Sequence, residues 1–145
     1  MSFGPAEHNI TSLLYPKDYF AELMHRLEEL HSRPHGAIMV AEKDGVIFGS
    51  CMSQRIRPGV TEIKRLFIEP EHRGSGAGRA LVQALVDLSR EDGDQFVYLD
   101  TSKSFGPARH LYESMGFKSR GPYSEILPAA LEVFCFYELA LKPAA

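Results

Sequence analysis

An α/β fold with a mixed sheet, antiparallel in its first half and partly parallel afterwards, is what the sequence predicts. Three observations carry that expectation. Short apolar runs separated by Gly- and Pro-containing turns fill the stretch from Ala37 to Glu69. A strong helical pattern follows over Ala77 to Leu88, and the apolar run Phe96 to Leu99 comes directly after it. Strand, helix and strand in that order make a parallel crossover.

Each element has its own local reason. From Pro16 to Leu30, Phe20, Leu23, Met24, Leu27 and Leu30 fall on one face of a helix, with Glu22, Arg26 and Glu29 on the other; Pro34 stops it. Ala37 to Ala41 is a short apolar strand. Lys43-Asp44-Gly45 turns it into a second, Val46 to Ile56, because Asp-Gly between two strand-like runs favours a hairpin. Arg57-Pro58-Gly59 turns again into a third, Val60 to Glu69. The next helix shows Ala77, Ala80, Leu81, Ala84, Leu85 and Leu88 on one face and Arg79, Gln83, Asp87 and Arg90 on the other, and Gly93 ends it. Phe96 to Leu99 has few polar residues, as expected of a strand covered on both faces. Ser104 or Gly106 caps a further helix with Pro107 in its first turn, Ala108, Leu111, Tyr112 and Met115 inward, and Gly116 as its stop. Phe117-Lys118-Ser119 starts a strand, a Pro- and Ser-containing loop follows, and Leu131 to Leu141 is the final strand.

The 145 residues suit one domain, 1–145, with no repeat or composition break to divide them. A chain of this size buries roughly 68–70% of its unfolded surface, enough for a core without disulfides or metal. Sixteen Lys+Arg against nineteen Asp+Glu give a net charge of -3, which argues against a nucleic-acid partner. No apolar run reaches the roughly 18 residues of a membrane span, and residues 1–10 lack the basic and apolar regions of a secretory signal. Cys51 and Cys135 sit in strand-like runs and are read as reduced core residues of a cytoplasmic protein rather than a disulfide. The histidines fall in no metal-ligand spacing, so no metal is expected.

The segment with most chemistry is Arg73-Gly74-Ser75-Gly76-Ala77-Gly78-Arg79, between a strand and the longest clear helix. Glycines there let backbone N–H groups gather round an anion at a helix N-terminus, and Arg73 and Arg79 can add charge. A P-loop needs Lys-Ser/Thr after its last glycine, whereas Arg79-Ala80 follows Gly78. A Rossmann turn needs G-x-G-x-x-G after the first strand of a parallel sheet; this spacing is G-x-G-x-G after antiparallel strands. An R-x-x-G-x-G pattern fits Arg73, Gly76 and Gly78, and a plain flexible turn remains the alternative.

The run Glu62-Ile-Lys-Arg-Leu-Phe-Ile-Glu-Pro-Glu-His-Arg-Gly-Ser-Gly-Ala-Gly-Arg-Ala-Leu81, followed by Ala108-Arg-His-Leu-Tyr-Glu-Ser-Met-Gly-Phe117, resembles the GCN5-related N-acetyltransferase (GNAT) family over about Ile38 to Leu141. The resemblance implies a largely antiparallel sheet with a splayed central strand pair, flanked by helices. It implies acetyl-CoA as acyl donor, bound through Arg73, Gly74, Ser75, Gly76, Ala77, Gly78 and Arg79 at the pyrophosphate. Main-chain groups of Leu66, Phe67 and Ile68 would pair with the pantetheine arm, with the Leu66 N–H facing the thioester oxygen. Glu62 then stands as general base and Tyr112 as general acid and sulfur contact. Many relatives have Asn seven residues before that tyrosine; here it is Phe105, and Ser104 could supply a hydroxyl instead. The family's first strand has only a poor candidate, in residues 6–15.

The acceptor is expected to be a small-molecule or peptide amine. Arg65, Arg120 and Tyr123 could hold a carboxylate on it, and Asp100 and Thr101, at a strand end, could orient it or a water. The expected activity is direct transfer of an acetyl group to a primary amine, with a non-catalytic acyl-CoA-binding module as the alternative. Phe134 and Phe136, on one face of the last strand, could support a homodimer.

Overall fold

The computed structural model describes residues 31–142. The helix expected over residues 16–30 and the weak strand candidate in residues 6–15 lie outside the described residues. Three strands come first: β1 (Gly36–Lys43), β2 (Val46–Arg57) and β3 (Val60–Ile68). After a single 3-10 turn at Pro70–His72 come α1 (Ala77–Glu91), β4 (Phe96–Ser102), α2 (Gly106–Ser114), β5 (Lys118–Arg120), α3 (Pro128–Val133) and β6 (Phe134–Ala140). The strands form one six-stranded sheet in the order β1-β2-β3-β4-β6-β5. Only the β3–β4 pair is parallel, as the crossover through α1 requires.

That parallel pair is short. It joins Val60 to Phe96, Thr61 to Val97 and Glu62 to Tyr98, and there it stops, although β3 runs on to Ile68 and β4 to Ser102. The central strands are splayed, as the resemblance implied. On its other side β3 pairs with β2, but the register jumps from Met52–Lys64 to Ser50–Phe67. Arg65 and Leu66 therefore have no register partner on either neighbour, and Arg65 adopts φ 57°, a left-handed value rare for a side-chain-bearing residue. The sequence treated 60–69 as a plain strand; the bulge at Arg65 corrects that, and Pro70, which has no N–H to give a ladder, ends the element at Ile68.

The core lies between α1 and one face of the sheet. Leu81, Val82, Leu85 and Val86 of α1 pack with Ala37, Cys51, Ile63, Val97, Leu99, Tyr137 and Leu141. The alternation of strand side chains sends Glu62, Lys64, Tyr98, Asp100, Phe136 and Glu138 to the opposite face, since these positions pair in register across β3, β4 and β6.

Three further expectations are corrected. β4 continues through Asp100 and Thr101 to Ser102 rather than ending at Leu99, because β6 supplies partners as far as Phe134. The last strand starts at Phe134, not Leu131: Pro128 sits in the first turn of α3, where its fixed φ suits a helix, and residues 128–133 coil before the chain extends. The N-cap of α2 is Phe105 without a side-chain cap bond; the Ser104 hydroxyl lies 2.9 Å from that of Ser102 instead.

Candidate active site

Two features meet at the mouth of the splay. One is the glycine turn. Gly76 has φ 89° and caps α1, and Gly74 has φ 83°. With those left-handed glycines the backbone turns sharply, and no backbone acceptor is recorded for the Gly74 or Gly76 amides among the described residues. The Ala77, Gly78 and Arg79 amides belong to the first turn of α1 and have no partner within the helix. A methyl group added at Gly74 or Gly76 would meet nothing within 4 Å, and one at Gly78 only side chains at 3.8–3.9 Å. Packing inside the chain does not demand glycine at position 78. Glycine there leaves room for an anion to approach the helix N-terminus closely. Arg79 donates from Nη2 to Ser114 Oγ at 2.5 Å, tying the start of α1 to the end of α2, and Arg73 donates from Nε to the Ile68 carbonyl at 3.2 Å. Ser75 is exposed, its amide donating to the His72 carbonyl.

The other feature is a buried polar cluster on the sheet face away from α1. Glu62, 7% exposed, is the last β3 residue paired with β4. Tyr123, in the loop after β5, donates its hydroxyl to Glu62 Oε2 at 2.6 Å, and Lys64 Nζ lies 3.4 Å from Oε1. Asp100 is one pleat repeat beyond Tyr98 on β4; burial first, then the Glu62 charge, raise its carboxyl above the ordinary range. Burial, then the bond to Glu62, push the Tyr123 phenol well above its usual value, so it stays a donor.

Tyr112 lies on α2, 6% exposed, with its ring against Phe117 and Tyr137 at 5.8 and 6.2 Å between centroids. Burial, then the charges of Cys51 and Asp100, hold its phenol protonated far beyond neutral pH. Among the described residues its hydroxyl takes no hydrogen bond, which leaves its proton available to a guest.

The remaining expected site residues divide. Leu66, Phe67 and Ile68 line the unpaired side of β3, and Phe67 is buried. Arg120 and Tyr123 come together over Tyr98: the Arg120 guanidinium is 4.4 Å and the Tyr123 ring 5.0 Å from its centroid. Arg65 does not join them; the bulge leaves it exposed, with no contact to Arg120 or Tyr123 among the described residues. Thr101 is half-buried and its carbonyl accepts from Cys135 Sγ at 3.4 Å. Ser104 is exposed beside Phe105. The sequence reading missed Tyr98 and Arg57, which sit with this cluster; strand alternation places Tyr98 on the face of Asp100 and could have found it.

Cys51 is a poor nucleophile: it is fully buried, and burial pushes its thiol up to about 12. Among the described residues no cluster of His, Cys, Asp and Glu could hold a metal ion, and no helix is long and apolar enough to cross a membrane.

A splayed sheet whose gap opens beside an amide-lined helix start defines the acetyltransferase class of folds. The model of the acetyltransferase (GNAT) family matches residues 5–117, and the chain belongs to that family. Among curated relatives, an uncharacterised N-acetyltransferase of Schizosaccharomyces pombe is 38% identical over 92 residues, 62% of this chain and 56% of its own. An IAA acetyltransferase of Azospirillum brasilense is 31% identical over 123 residues, 83% of this chain and 78% of its own. The chain spans about half the length of several of the relatives it matches. The same fold occurs in an acetyltransferase structure from Streptococcus agalactiae, with TM-score 0.74, 23% identity and coverage of 92% and 84% of the two chains. A Salmonella typhimurium structure described with its cofactor acetyl-CoA has TM-score 0.66, 20% identity and coverage of 90% and 77%.

Proposed function

We propose that this protein transfers an acetyl group directly from acetyl-CoA to a primary amine. The observation that carries the proposal is the gap itself: beyond Glu62 the two central strands part, and β3 leaves Arg65 and Leu66 outside both ladders. Family membership and the glycine turn support acetyl-CoA as the guest of that gap. When bound, acetyl-CoA supplies the acyl group as an activated thioester.

The chain's own groups have distinct tasks. The amides from Gly74 to Arg79 would neutralise the diphosphate, aided by the positive end of α1. Phe67 and Ile68 would offer backbone pairing to an extended arm, and the Leu66 N–H would face the oxygen that gains charge on attack. An amine with a pKa near 10.4 arrives protonated and must lose that proton, to Glu62 directly or through water. Tyr112, kept protonated by its burial, would donate to the departing thiolate. The elevated thiol of Cys51 supports direct transfer over an acyl-cysteine route.

Thiol release from acetyl-CoA across a panel of primary amines tests this. The expected result is amine-dependent release, reduced about 100-fold or more in Glu62→Gln and slowed in Tyr112→Phe with acetyl-CoA affinity retained. A rise in melting temperature with acetyl-CoA but no release with any amine would instead identify an acyl-CoA-binding module. No response of either kind overturns both.

A further inference from the structure

The sheet face that carries Glu62 also brings two guanidinium groups onto one aromatic ring. Arg57, at the end of β2, places its guanidinium 5.2 Å from the Tyr98 ring centroid and donates from Nη2 to the Tyr98 hydroxyl at 3.1 Å. Arg120, from β5, lies 4.4 Å from the same centroid. Tyr98 is 5% exposed and is the register partner of Glu62. Two like charges converge on one ring, immediately beside the residue placed to receive the acceptor's proton.

Of these cations, Arg57 alone lacks a carboxylate partner among the described residues. Arg120 has Glu138 at 3.5 Å, and Lys64 has Glu62 at 3.4 Å. Arg57 has no carboxylate within ion-pair distance among the described residues, and it is exposed to solvent. A guanidinium presents a planar fork of N–H donors that fits a carboxylate, and packing on an aromatic face holds that fork in place. Arg57 pairs in register with Val60, and Glu62 stands one pleat repeat past Val60 on β3, about 7 Å further toward the open end of the splay.

We infer that the amine acceptor carries a carboxylate several bonds from its nitrogen, held by Arg57 on the Tyr98 platform while the amine lies at Glu62. The inference rests on the acetyltransfer reading and adds the acceptor's class to it. One singly charged group matches the Arg57 guanidinium, which has no carboxylate partner among the described residues. The span between the Arg57 and Glu62 levels suits a γ-amino acid or a dipeptide better than an α-amino acid, whose charges are too close to reach both ends. Tyr98 and Arg57 are then specificity residues, and the acceptor lies along β3.

Steady-state acetylation of γ-aminobutyrate against its amide, and of glycylglycine against glycylglycine amide, tests the inference. The wild type should favour each acid over its amide in kcat/KM by about 10- to 100-fold, the worth of a hydrogen-bonded charge pair. In Arg57→Gln that preference should fall toward one, mainly through a raised KM for the acids, with the melting temperature serving as the check on folding. Equal rates for acid and amide in the wild type, or an undiminished preference in Arg57→Gln, would overturn the inference and leave acetyltransfer standing. Absence of thiol release with all of these amines and with the wider panel would overturn both.

Discussion

Asp100 is the carboxyl on the cleft side whose ionisation the fold resists. Its carboxyl is raised by burial and then by Glu62. A carboxyl with a higher pKa in the folded than in the unfolded chain contributes most below the ordinary range, about pH 3.9, and that contribution is lost as pH climbs through the raised value. Asp100→Asn removes the loss. Its melting temperature should exceed that of the wild type at neutral pH, and the difference should close as pH falls toward the ordinary carboxylate range; a difference independent of pH would refute the assignment. Glu62 and Tyr112 are singled out by the sequence because each sits at a fixed offset within a motif. The bond from Tyr123 to Glu62 was not, since the two are 61 residues apart and only the loop after β5 brings them together. The bulge at Arg65 was not legible for a local reason: nothing in Lys64-Arg65-Leu66 advertises its left-handed φ.

At the scale of elements, the periodic ones were legible and the aperiodic ones were not. The helix α1 emerged as expected but its buried stripe is rotated: Leu81 and Leu85 are buried as read, together with Val82 and Val86, whereas Ala80 is exposed and Ala77, Ala84 and Leu88 are half-buried. Residues 128–133 lack enough turns to show a period, so α3 merged with the strand that follows it. Close approaches between elements leave sharper marks. Gly36 opens β1 where an added Cβ would stand 2.5 Å from the Ser53 carbonyl oxygen and 2.7 Å from His31 Cα, both backbone atoms. Gly36→Ala should therefore cost about 1–3 kcal/mol in urea unfolding. Gly78→Ala, with only side chains at 3.8–3.9 Å, should leave stability nearly unchanged while weakening the melting-temperature response to acetyl-CoA. A stability loss equal to that of Gly36→Ala would show that packing, not a ligand, requires glycine at position 78.

For the molecule as a whole, stability should concentrate on the α1 side of the sheet. Leu85 is 1% exposed and packs at the centre of that layer. Leu85→Ala is expected to lose about 2–5 kcal/mol, a fall in melting temperature on the order of 10 °C. A loss below about 1 kcal/mol would mean that the layer collapses to fill the space. The mixed topology was legible because only one crossover helix intervenes between strand-like runs. The extent of the splay was not, because pairing length depends on how far two distant strands diverge. That divergence has a mechanical side. Just three rungs, at Val60, Thr61 and Glu62, stitch the β1–β3 half to the β4–β6 half. The seam of least cohesion thus runs down the middle of the sheet rather than along its rim, and α1 packs chiefly on the β1–β3 side of it. Any guest that knits the open length of that seam would stiffen both halves at once, a change that amide exchange along residues 64–68 would register far from the atoms that react.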